Sequence, residues 1–202
     1  MTVAEQIKEI KQSFRQIMDG AVAQSMRRKG VSYNLNWGAT LPRLREMAAE
    51  LQPDYDLALG LWKENVRECK ILATMLMPAD RILPEVVDIW MEQTENQEIA
   101  EQASLNLYCR LPFAADKAYQ WMASDKSLYQ LCGFHVMSRL FMDGREPNER
   151  GINEFLDQAI AALQGKDLAV RKAAMNSVHH FADLGILYRR LADSALRQMQ
   201  QR

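Results

Sequence analysis

Lys63, Arg67 and Lys70 recur at helical spacing, and Arg43 and Arg45 open the helix at 41. Arg27, Arg28 and Lys29 cluster nearer the start, and Arg171, Lys172, Arg189 and Arg190 gather near the end. Cations grouped in this way neutralise phosphates, the chemistry by which a protein holds a nucleic-acid backbone. Solvated helix faces account for the same residues equally well. Glu92, Glu95, Glu98 and Glu101 repeat every three residues, as on an exposed helix face whose first turn favours acids. Tyr33 and Trp37 stand in a polar stretch and offer rings for contact, whereas Trp62 and Trp90 fall on apolar stripes and read as core.

Metal and thiol chemistry find little support. Cys69, Cys109 and Cys132 are far apart, odd in number and set in helical patterns, as expected of small core residues in a reducing compartment. His179 and His180 are adjacent, which on a helix points them about 100° apart and not at one ion. No metal and no cofactor are expected.

Charge is divided unevenly along the chain. The net charge is −1, yet residues 1–80 carry 11 basic and 10 acidic side chains, residues 81–160 carry 7 and 13, and residues 161–202 carry 7 and 3. An acidic middle weakens any claim of uniform nucleic-acid affinity, so local patches must carry it. With 202 residues, 48% of them hydrophobic and 25% charged, the chain suits one globular domain with a real core. The opening MTVAEQIKEIKQSFRQIM alternates charge with apolar residues and holds no export or membrane-spanning run, so a cytoplasmic protein with no membrane partner is expected.

The elements that position these residues are helical throughout. Val3, Ile7, Ile10, Phe14 and Ile17 form one stripe, and Ile152, Phe155, Leu156, Ala159, Ile160 and Leu163 another, while no segment alternates as a half-buried strand does. Proline after Leu41, Leu83 and Leu111 falls in a first helical turn; Asp143-Gly144, Gly165 and Gly185 mark ends, and Asp167 a cap. Helices are predicted over 2–18, 41–51, 54–63, 66–76, 83–94, 97–110, 112–123, 127–142, 149–164, 167–182 and 185–200. Short antiparallel pairs of this kind bury a core by stacking into a curved α-solenoid, although the periodicity alone fits a compact bundle nearly as well.

The stretch YNLNWGATLPRLREMAAELQPDYDLALGLWKENVRECKILATML, residues 33–76, resembles the DNA alkylation repair enzymes, alkylpurine DNA glycosylases built from HEAT-like repeats. The matching residues are Tyr33, Gly38, Leu44 and Arg45, then Leu61 and Trp62, then Arg67, Glu68, Leu72 and Ala73, with a later echo in Val170-Arg171-Lys172-Ala173. The resemblance covers roughly residues 30–182. It implies an all-α superhelix of HEAT-like helix pairs over residues 1–202 as a single domain, with helix 2–18 packing on the first repeat.

It also implies a site. In the family, an aspartate and aromatic rings in a concave groove stabilise the positive charge that builds on the sugar as a cationic alkylpurine departs, and an arginine assists near the backbone. Here Gln97 stands where the family has tryptophan and Glu101 where it has aspartate, Gln130 falls at the arginine position, and Asn176 aligns with the other groove tryptophan. Glutamate keeps the charge but adds a methylene, and glutamine has no π face. Three readings remain open: a protein that binds damaged or branched DNA through Arg43, Arg45, Lys63, Arg67, Lys70, Arg171 and Lys172 without cleaving it; an active glycosylase using Glu101; and a helical-repeat adaptor for another protein.

Overall fold

The computed structural model describes residues 1–201. Twelve α-helices and two 3₁₀ turns carry the chain among these residues, and strand-like pairing is confined to one isolated parallel bridge between Leu35 and Val66. The all-α expectation therefore holds. The chain divides into two compact units, Met1–Leu107 and Tyr108–Arg202.

The first unit contains α1 (Val3–Ser13), a 3₁₀ turn (Phe14–Gln16), α2 (Gly20–Arg28), α3 (Leu41–Leu51), α4 (Tyr55–Lys63), α5 (Arg67–Leu76), α6 (Pro84–Glu92) and α7 (Gln97–Asn106). A capping box starts α1: Thr2 Oγ1 accepts from the Glu5 amide and the Glu5 carboxylate accepts from the Thr2 amide. Asp54 and Asn96 cap α4 and α7 through side-chain oxygens. Prolines at the start of α3 and α6 cost no hydrogen bond there. Helix α1 packs on α4, where a Cβ on Gly60 would come within 2.7 Å of the Ile7 side chain. Helix α5 is buried nearly all round, from Arg67 to Leu76, because it is packed by α3, α4 and α7. Trp62 and Trp90 stack at 4.2 Å between centroids, in the core as expected.

The second unit contains a 3₁₀ turn (Tyr108–Arg110), α8 (Ala114–Met122), α9 (Ser127–Met142), α10 (Glu149–Gln164), α11 (Leu168–Asp183) and α12 (Ile186–Gln200). Helix α9 plays the part that α5 plays in the first unit, buried over most of its length between α8 and α11. Phe155 lies 4.9 Å from Phe141 and 5.1 Å from Phe181, an aromatic cluster that joins α9, α10 and α11. Asp167 caps α11 as expected, accepting from the amides of Ala169 and Val170.

Three boundaries differ from the sequence reading. Helix α2 is absent from that reading; it is short and buries only Ala23, and it starts at Asp19, which accepts from the amides of Ala21 and Val22. The first helix ends at Ser13 and tightens into a 3₁₀ turn. The segment expected to be helical over 97–110 breaks at Leu107, whose backbone (φ −126°, ψ −59°) leaves the helix before a second 3₁₀ turn.

Candidate nucleic-acid interface

Arg67 and Glu68, two neighbouring charges at the start of α5, are 2% and 0% exposed. Charges so deep persist only when every polar atom is engaged. The Arg67 guanidinium donates through Nε and Nη2 to the two carboxylate oxygens of Glu98 on α7, at 2.9 and 2.7 Å, and through Nη1 to the Ala39 carbonyl at 2.8 Å and to Glu68 at 3.2 Å. Glu68 in turn accepts from the backbone amides of Trp37 and Ala39. The Tyr33 hydroxyl donates to the Glu98 carboxylate and lies 3.2 Å from Asn96 Oδ1. Burial alone would lower the Arg67 pKa; its hydrogen-bonded pairing with Glu98 reverses that and holds it above the usual value. Burial first, and the hydrogen bond to Glu98 second, push the Tyr33 phenol upward as well.

This lattice fixes the loop between α2 and α3. Asp19 N–H donates to the Trp37 carbonyl at 2.9 Å, and Arg67 N–H to the Leu35 carbonyl at 3.0 Å. Gly38 has φ +75°, and a Cβ there would lie 2.0 Å from the Asp19 carbonyl oxygen, so only glycine fits. Tyr33 and Trp37, expected to be exposed contact rings, are half-buried parts of this lattice. Their backbone and hydroxyl groups close the loop onto α5 and α7.

The basic residues sort by burial. Arg67, expected to contact nucleic acid, is corrected to an internal ion-pair partner, because its guanidinium is spent on Glu98, Glu68 and Ala39. Lys70 is half-buried with its ammonium 4.5 Å from the Trp62 ring centre, and burial lowers its pKa, so its charge serves the core edge more than a phosphate. Arg43 is exposed and pairs with Glu46 at 2.6 Å. Arg45, Lys63, Arg171 and Lys172 are exposed and in no ion pair among the described residues. Arg27 and Arg28 close the last turn of α2, where cations suit the helix dipole.

On α7, Gln97 is exposed and Glu101 half-buried, and the Gln97 amide donates to the Glu101 carboxylate at 2.7 Å. In the second unit, Gln130 turns back to donate to the Ser124 carbonyl at 2.7 Å. Asn176, exposed on α11, has its amide 3.5 Å from Ser138 Oγ, further along α9 than Gln130. The structure therefore joins Gln97 to Glu101 directly and gives Gln130 and Asn176 separate partners. Sequence reasoning set Glu98 on an exposed helix face, whereas it is the partner of the buried Arg67, and it missed Ser138, which meets His180 Nδ1 at 2.6 Å and has no sequence signal.

Short helices packed in succession, with one central buried helix in each unit and no sheet among the described residues, define an α-helical repeat protein. A solved structure from a family described as related to the HEAT-like repeat DNA glycosylases, with affinity for branched DNA structures, superposes with a TM-score of 0.82 at 14% identity, over 95% of this chain and 82% of the other. The fold is thus of the HEAT-like repeat class. The family model for the DNA alkylation repair enzyme matches residues 10–183, and the chain belongs to that family. No curated protein matches it. Among the described residues no helix is long and apolar enough to cross a membrane.

Proposed function

We propose that this protein binds DNA, branched or otherwise distorted, through the exposed cations of its helical repeats, and that α7 no longer supplies the family's base-excision site. The observation that carries this reading is the Gln97–Glu101 hydrogen bond. A side-chain amide stands where the family sets an aromatic ring and donates to one oxygen of the neighbouring carboxylate, so a developing sugar cation would meet no π face there and an acid already engaged by Gln97. Arg45, Lys63, Arg171 and Lys172 leave their charges to solvent and suit phosphate neutralisation. The family match over residues 10–183 spans the boundary between the two units, which supports a reading of the chain as one domain. The structural neighbour's affinity for branched DNA supports the choice of ligand.

A second reading, glycosylase activity through Glu101, is favoured by the retained carboxylate. One pair of assays separates the two. Fluorescence anisotropy with a labelled four-way junction and a linear duplex, at two salt concentrations, measures binding; free-base release from DNA carrying N3- and N7-methylated purines measures excision in wild type and Glu101→Gln. Salt-sensitive junction binding with no base release above buffer is expected. Release that Glu101→Gln abolishes would establish the second reading, and absence of any DNA binding would leave the adaptor role.

A further inference from the structure

Ser138 is 5% exposed on α9, and its hydrogen bonding departs from that of the other buried hydroxyls. Thr74, Ser104 and Ser177 each return the hydroxyl hydrogen to a carbonyl of their own helix, at Ile71, Ala100 and Ala174, the ordinary way to satisfy a helical hydroxyl, and Thr94, just past the end of α6, does the same to Trp90. Ser138 reaches across to α11 instead and meets His180 Nδ1 at 2.6 Å, while the Asn176 amide approaches the same oxygen at 3.5 Å. With Asn176 donating to Ser138 and Ser138 donating to Nδ1, the neutral imidazole carries its hydrogen on Nε2; the imidazolium carries one there too. In that arrangement an N–H donor stands on the side of the ring away from Ser138; in the other neutral tautomer Nδ1–H donates to Ser138 and Nε2 is an acceptor.

Lys172, Asn176 and His180 follow one another at intervals of four along α11, so they share one stripe of the helix. Lys172 and Asn176 are exposed and His180 is half-buried. The stripe thus offers a point charge at one end and the Asn176 amide and His180 ring beyond it, the ring in contact with a buried serine on the neighbouring helix. We infer that His180 Nε2–H is a hydrogen-bond donor to a DNA phosphodiester oxygen, with Ser138 as its positioning residue and Lys172 as the adjoining cation. This rests on the DNA-binding reading above and assigns a contact within it.

A labelled four-way junction is the probe, its affinity measured at fixed salt for wild type, His180→Ala, His180→Gln, Ser138→Ala and Lys172→Ala, with a thermal melt of each. His180→Ala is expected to weaken binding about three- to tenfold, the usual range for one hydrogen bond, with the salt slope unchanged. Glutamine places an amide N–H near the Nε2 position, so His180→Gln should recover most of the loss. Ser138→Ala should fall between wild type and His180→Ala. Lys172→Ala should lower the salt slope by about 0.9, the increment for one lost phosphate contact. A wild-type affinity in His180→Ala, or equal losses in both His180 variants in step with their melting temperatures, would overturn the assignment while leaving DNA binding intact. Failure of wild type to bind the junction or a duplex would overturn the DNA-binding reading and this contact with it.

Discussion

Arg67 and Glu98 face each other from α5 and α7 as a bidentate pair, Nε and Nη2 meeting the two carboxylate oxygens at 2.9 and 2.7 Å with the guanidinium 2% exposed. The pair closes the loop carrying Gly38 onto two helices at once, since the same guanidinium also holds the Ala39 carbonyl. Removing one side of such a buried pair leaves the other charge uncompensated, at a cost of about 3–5 kcal/mol. Arg67→Ala should therefore destabilise the fold by that amount, because Glu68 and Glu98 then confront each other without a cation. Urea unfolding midpoints measure it. Arg67→Lys should recover only part of the loss, because an ammonium cannot fork between two oxygens.

Gly38→Ala should be destabilising by more than about 2 kcal/mol, from a left-handed backbone together with a Cβ 2.0 Å from a carbonyl oxygen. The same substitution at Gly30 also places alanine at positive φ (+82°) but meets nothing within 4 Å, so it should cost less. Comparing the two melting temperatures separates the clash from the strain. A smaller effect at Gly38 than at Gly30 would show that the loop can move off Asp19.

The helices were legible in the sequence where apolar residues recurred at helical steps, as along α1 and α10, and where caps such as Asp167 stood before them. Helix α2, short and burying one residue, was hidden. The fate of the cations was less legible still. Lys63, Arg67 and Lys70 share a spacing, yet one is exposed, one is buried in a lattice and one lies on a tryptophan ring. What decides between them is the partner across space: Glu98 for Arg67 and Trp62 for Lys70. A helical period gives the face of a residue, while the depth of that face depends on which helices cover it, and α5 is covered on nearly every side.

Asp167 holds the first amides of α11, and the hydrogen bond from Val170 is the main reason its carboxyl lies below the usual range. Asp167→Ala should cost about 1 kcal/mol, the usual value of an N-cap. Because the folded pKa lies below the unfolded one, the carboxylate's contribution is complete above the unfolded value near 3.9 and is lost as pH falls through the folded value. The difference in urea midpoint between wild type and Asp167→Ala should therefore be full at pH 6 and shrink below pH 4. A difference that persists undiminished at pH 2 would mean that the side chain acts through packing and not as an anion.

Cys69 is buried on α5, and burial pushes its thiol up to about 12; Cys109 is raised for the same leading reason, and Cys132 is fully enclosed. A thiol of this kind presents almost no thiolate at neutral pH. Native protein should react with an aromatic disulfide reagent far more slowly than protein in denaturant, where all three cysteines titrate. The Cys69 contribution to stability is complete below the unfolded thiol value near 8.5 and is lost as pH rises through about 12. Fast labelling of one thiol in the native state would reveal an opening of the helix that carries it.

On the proposed DNA binding, exposure sorts the cations that stand ready for a phosphate from those held inside the fold. Arg171 and Lys172 are exposed at the start of α11 and in no ion pair among the described residues, whereas Arg67 is enclosed. Arg171→Ala and Lys172→Ala should each leave the melting temperature almost unchanged and lower the slope of log affinity against log salt by about 0.9 for junction DNA. Lys63→Ala should do the same if the exposed end of α4 reaches a phosphate. Arg67→Met should lower the melting temperature while leaving the salt slope of the remaining folded protein as it was, because a guanidinium bound to Glu98 and Ala39 releases no counterion from DNA. A reduced slope in Arg67→Met, measured where the protein is fully folded, would show that the pair opens on binding and gives its cation to the nucleic acid.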